Sequence, residues 1–119
     1  MPLITIRRNT EIVSDQLIEV IEKFLISKAV RALNVTNVPE ERLTEEEIEI
    51  HVNDKRALDR HCPDLAVRIE AESYRLRVMQ RKKLNRDIRD GLEKLLKGLD
   101  IRGYVEIRLS PGAFDEFST

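Results

Sequence analysis

The chain has 119 residues, with 21 basic and 22 acidic side chains and a formal charge of −1. That length supports one domain around a single core, and the balanced charge argues against a general nucleic-acid binder, which needs a basic field or stripe. Aromatic residues make up only 4% with no tryptophan, so platforms for stacking bases are scarce. The single Cys62 forms no intramolecular disulfide, no secretory signal is visible, and no apolar run approaches the ~18 residues that span a bilayer. The expectation is a cytoplasmic protein with neither nucleic acid nor membrane as partner.

In chain order, Leu3 to Ile6 form a short β-prone run behind Pro2, a residue suited to a strand start because it lacks a backbone N–H. From Ser14 the period becomes helical. Val13, Leu17, Val20, Ile21, Phe24 and Leu25 lie on one side, with Ser14 or Thr10 as N-cap, and the helix runs to about Leu33. Asn34 to Pro39 breaks it, and Glu40 to Glu47 is an acidic approach to a second strand in which Ile48, Ile50 and Val52 alternate with polar residues. A loop from Lys55 to Asp64 precedes a third strand, Leu65 to Glu72. The second helix carries Leu84, Ile88, Leu92, Leu95, Leu96 and Leu99 on one stripe, and Gly91 beside it predicts a close approach of helix to sheet. Gly98 or Gly103 ends this region, and Tyr104 to Leu109 is the last strand, closed by Ser110-Pro111-Gly112.

The order β-α-β, β-α-β predicts an α+β fold made of duplicated β-α-β halves, about 1–54 and 65–110, with a C-terminal tail 111–119, all in one domain spanning 1–119. Right-handed crossovers put both helices on one face of a four-stranded sheet, a ferredoxin-like layer architecture. The other face then carries Glu49, His51, Arg68, Glu70, Glu106 and Arg108, charges of both signs placed to pair across strands.

Met1-Pro2 at the start, Pro-Leu-Ile-Thr-Ile as first strand, the long helix, the Glu-Ile-Glu-Ile-His-Val second strand and the repeated half resemble the tautomerase superfamily. A chain of two such halves is most similar to the 5-carboxymethyl-2-hydroxymuconate isomerases, and the single-half 4-oxalocrotonate tautomerases are much shorter. The resemblance implies an enol–keto isomerase acting on a small anionic substrate, without cofactor or metal, assembled as a homotrimer or hexamer. It implies that removal of Met1 frees the secondary amine of Pro2 as general base. An α-amino group titrates near ~7.7–8.0, and burial lowers that value toward a neutral base. It implies carboxylate binding by Arg75 or Arg77, between third strand and second helix, with Arg8 and Tyr104 as further substrate contacts. The chain departs from its relatives in having Glu49 where the short ones have an arginine, and no glycine turn around Arg75. The alternatives are a non-catalytic oligomerisation or binding module on the same frame and, as the resemblance also implies, a relative whose proline works as an acid in hydration or dehalogenation.

Other features have plainer readings. His51 falls on the charged sheet face beside a carboxylate. His61-Cys62-Pro63-Asp64 has three potential metal ligands but no second cysteine, too few for a tetrahedral site. Arg81-Lys82-Lys83 with Arg86 and Arg89 reads as a solvated helix face balanced by Asp87, Asp90 and Glu93, and Phe114 and Phe117 as an apolar tail.

Overall fold

The computed structural model describes residues 2–34, 42–110 and 117–118. Four strands, β1 (Leu3–Arg8), β2 (Glu49–Asp54), β3 (Leu65–Glu72) and β4 (Gly103–Ser110), form one sheet in the order β2-β1-β3-β4. β1 runs parallel to β2, β3 runs parallel to β4, and the two halves meet antiparallel along β1 and β3. Helix α1 (Asp15–Leu33) crosses from β1 to β2, and α2 (Arg75–Leu95) crosses from β3 to β4. This is the duplicated α+β layout that the alternating patterns predict.

The core lies between sheet and helices. Ile4, Ile6, Val67 and Ile69 of the central strands are fully buried against Ile21, Leu25, Ala29 and Leu33 of α1 and Ile88 of α2. Each of the isoleucine, leucine and valine side chains contributes roughly 1.5–3 kcal/mol on burial. Ser14 is the N-cap of α1, its hydroxyl accepting from the Leu17 N–H at 3.2 Å, so Ser14 and not Thr10 starts the helix. The acidic approach forms a 3-10 turn at Glu45–Glu47 capped by Thr44; Glu40 and Glu41 lie outside the described residues.

Two expectations for α2 are corrected. Leu95 and Leu99 are 38% and 51% exposed, and the helix ends at Leu95, so the apolar stripe stops at Leu92 with Leu96 half-buried behind it. Gly91 marks an approach to the other helix and not to the sheet: a Cβ there would stand 2.6 Å from Cζ of Phe24 on α1. The phenyl ring occupies the space that a side chain at 91 would need.

The second sheet face is polar, as the alternation predicts. Arg68 Nε lies 3.4 Å and Arg108 Nε 2.6 Å from the Glu106 carboxylate, and His51 Nε2 lies 3.6 Å from Glu49. The two arginines, Arg108 foremost, hold the Glu106 carboxyl below its usual range. In the tail, Phe117 is 90% exposed and Phe114 lies outside the described residues.

Candidate active site

Pro2 is buried one step before β1. The Glu49 N–H donates to its carbonyl at 3.0 Å, extending the parallel β1–β2 ladder to the chain's second residue. Leu3 pairs with Glu49 on one side and Glu70 on the other, so continuing the register sets Pro2 beside Ile48 and Ala71. Both are buried. Pro2 shares the parity of Ile4 and Ile6 and therefore belongs to the helix-covered face of the sheet, in apolar surroundings.

The same end of the sheet holds the end of α1 and the start of α2, and Arg77 joins them. It is the buried charged residue among those described, 2% exposed. Its Nε donates to the carbonyl of Leu33, the last residue of α1, at 3.0 Å, and its Nη1 donates to the carbonyl of Glu72, the last residue of β3, at 3.2 Å. A guanidinium at the carbonyl end of a helix is favoured by the helix dipole and satisfies acceptors that have no partner within the helix. The Tyr74 ring packs against it, 4.5 Å from ring centre to guanidinium carbon. Arg75, the first residue of α2, is exposed and makes no ion pair among the described residues. On the α1 side, the Asn34 carboxamide grips the backbone of Leu43 twice, donating to its carbonyl at 2.9 Å and accepting from its N–H at 2.7 Å. That clamp fixes the chain that returns toward β2.

Arg8 and Tyr104 stand elsewhere. Six residue steps at ~3.3 Å put Arg8 about 20 Å along β1 from Pro2. Its guanidinium is engaged by Asp54 at 2.8 Å, Asp15 at 2.5 Å and the Val13 carbonyl at 3.2 Å. The carboxylates, Asp54 foremost, raise its already high pKa. This network ties β1 to the start of α1 and the end of β2. Tyr104 pairs with Ala66, itself opposite Arg7, so it too lies at the far end, 50% exposed. Within one chain the structure therefore sets Pro2, Arg75 and Arg77 at one end of the sheet and Arg8 and Tyr104 at the other. Sequence reasoning missed Asn34 and the burial of Arg77; neither has a signature, because their partners are backbone carbonyls and N–H groups, which every residue carries. Among the described residues, no group of three or more histidine, cysteine or acidic side chains is placed to hold a metal ion, and no helix is long and apolar enough to cross a membrane.

The fold is shared with tautomerase-superfamily structures. A member of the cis-3-chloroacrylic acid dehalogenase family superposes with a TM-score of 0.69 at 13% identity, over 98% of this chain and 81% of that one. The FG41 malonate semialdehyde decarboxylase gives 0.61 at 12% identity, over 98% and 91%. A 5-carboxymethyl-2-hydroxymuconate delta-isomerase gives 0.59 at 14% identity, over 100% and 87%. No family model matches the sequence, and no curated protein matches it.

Proposed function

We propose that this protein is a tautomerase that moves a proton between carbon and oxygen positions of a small anionic enol or unsaturated keto acid, with the amine of Pro2 as general base. The observation that carries the reading is Pro2 itself, buried at the start of β1 on the helix side of the sheet, in a fold shared with an isomerase, a dehalogenase-family member and a decarboxylase. Once Met1 is removed, the ring nitrogen is a secondary amine, and apolar surroundings disfavour its protonated form. The neutral amine takes a proton from the enol hydroxyl or the carbon next to the carbonyl and returns it to the conjugated carbon, with no net change of charge. Arg75, exposed at the first turn of α2, would receive the substrate carboxylate through its guanidinium fork, while Arg77 holds the junction of α1 and β3. Arg8 and Tyr104 could touch that substrate only from a neighbouring copy, which is the role a homotrimer or hexamer would give them.

The test has two steps. The intact mass of untagged protein is expected to lack one methionine, and ketonisation by Pro2→Ala is expected to fall about 10²–10⁴-fold, the usual worth of a general base, with the fold retained. Equal activity in Pro2→Ala would sink the reading. The second reading, a binding module without catalysis, is favoured by the engagement of Arg8 with Asp54 and Asp15 and of Arg77 with two backbone carbonyls. It takes the lead if Met1 is retained and no enol or keto acid turns over.

A further inference from the structure

The second half repeats the scaffold of the first, and so it repeats the place where Pro2 sits. In the first half that place is the start of β1, flanked by the end of α1 and the approach to β2; its counterpart is the start of β3, flanked by the end of α2 and the start of β4. A half-open cleft of about 560 Å³ lies there, floored by Leu65, Leu92, Leu96 and Val105. That volume is within the ~300–1,000 Å³ range of small-molecule sites, and an apolar floor with a few polar groups is their usual make-up. Leu65 pairs with Arg8, so the cleft is at the opposite end of the sheet from Pro2.

The cleft is built and held. The Asp64 and Leu65 N–H groups donate to the Arg102 carbonyl at 2.9 and 3.2 Å, and the Arg102 N–H donates to the Asp64 carboxylate at 3.0 Å. Gly103 lets β4 close on β3, since a Cβ there would fall 2.2 Å from the Leu65 carbonyl oxygen. The turn between α2 and β4 is bent through two left-handed residues, Gly98 at φ 87° and Asp100 at φ 52°.

The rim decides the chemistry. Arg89 is engaged by Asp90 at 2.6 Å, but Lys97 and Arg102 make no ion pair among the described residues. A guanidinium on a fixed backbone beside a lysine suits a carboxylate. Glu93 and Asp100 on the same rim would repel a second negative charge. The amine that the first half can present is absent, because the Leu65 nitrogen is part of a peptide bond. We propose that this cleft is a second, non-catalytic site for a small monocarboxylate with an apolar body, its carboxylate at Arg102 and Lys97 and its apolar part on Leu92 and Leu96.

Titration of the full chain with 4-phenylbutyrate, followed by methyl NMR, tests this. Saturable shifts are expected at Leu92, Leu96 and Val105. Arg102→Ala is expected to weaken binding about tenfold or more, the worth of a charge-assisted hydrogen bond. The uncharged 4-phenylbutan-1-ol is expected to bind more weakly by a similar factor, and Leu96→Trp, which fills the floor, to abolish the shifts. Pro2→Ala is expected to leave cleft binding unchanged, so failure of the catalytic reading and failure of this one are separable. Shifts confined to residues around Pro2, equal binding of acid and alcohol, unchanged binding in Arg102→Ala, or no saturable shift at millimolar probe would each overturn the proposal.

Discussion

The two halves share a topology and differ in what each puts at its helix ends. In the first, α1 starts on a side-chain cap at Ser14 and ends on the Leu33 carbonyl, which accepts from Arg77; in the second, α2 starts at Tyr74 without a side-chain cap and ends in an open turn beside the cleft. The first half closes around a buried Pro2, and the second leaves its equivalent position open. Duplication supplies two equivalent places, and the residues at the helix ends differ between the one that holds the buried Pro2 and the one left as a cleft. The largest expected effect follows from the proposed base: Pro2→Ala is expected to lower ketonisation by the factor given above, read in an enol–keto assay. If the amine is the base, the rate rises with pH through a pKa below the ordinary α-amino range, because the neutral form is active and burial favours it.

Arg77 is the next point at which the comparison can break. Replacing it with methionine keeps much of the apolar stem and removes the donors to Leu33 and Glu72. Each deserted acceptor costs about 1–3 kcal/mol, so Arg77→Met, which deserts two, is expected to lower stability by roughly 2–6 kcal/mol in denaturant unfolding. Arg75→Ala, at an exposed site, is expected to stay within about 0.5 kcal/mol. Equal effects of the two substitutions would show that the guanidinium does not bridge the halves.

Helix packing gives a smaller contrast. Gly91→Ala gains about 1 kcal/mol of helix propensity but drives a Cβ toward the Phe24 ring, and overpacking costs typically ~1–3 kcal/mol. A net loss near 1 kcal/mol is expected, and Phe24→Leu in the same chain is expected to remove it. Persistence of the full loss in the double variant would place the strain elsewhere.

These elements show what was legible in the sequence. The alternation of Ile48, Ile50 and Val52, of Val67 and Ile69, and of Val105 and Ile107 specifies strands and faces, and the helical spacing of Leu17, Ile21, Phe24 and Leu25 specifies the covering helix, although Val20 of the same run is 47% exposed. Right-handed crossovers then leave one arrangement of helices. Pro2 was visible as a candidate because a chemical peculiarity belongs to the residue alone. The burial of Arg77 was not: a charge amid Arg75, Arg81 and Lys82 reads as solvated until Leu33, distant in sequence, is known to receive it. Nor was the partner of Gly91, since a missing side chain signals proximity without naming what is near. Arg8 was legible as an arginine before α1, but its carboxylate partners come from two other elements, Asp15 and Asp54.

Capping also distinguishes the halves. Ser14→Ala deletes the acceptor for the Leu17 N–H and is expected to cost about 1 kcal/mol. A substitution at Tyr74 removes no cap hydrogen bond.

The smallest effect concerns the polar sheet face, where the halves differ again. The second half carries the Arg68–Glu106–Arg108 ladder, and the first carries the exposed His51–Glu49 contact at 3.6 Å. Because its arginine neighbours depress the folded-state pKa of Glu106, this group adds stability above its unfolded value, near ~4.3. That stability is lost as the pH falls through the lower folded value. Wild type is thus expected to lose slightly more stability than Glu106→Gln on going from neutral pH into this acid range, a difference read as midpoints of thermal unfolding. Solvent screening keeps it small. Parallel acid limbs in the two proteins would mean that the ladder orders the face without stabilising it, leaving the balance between the halves to Arg77 and the packing beneath the sheet.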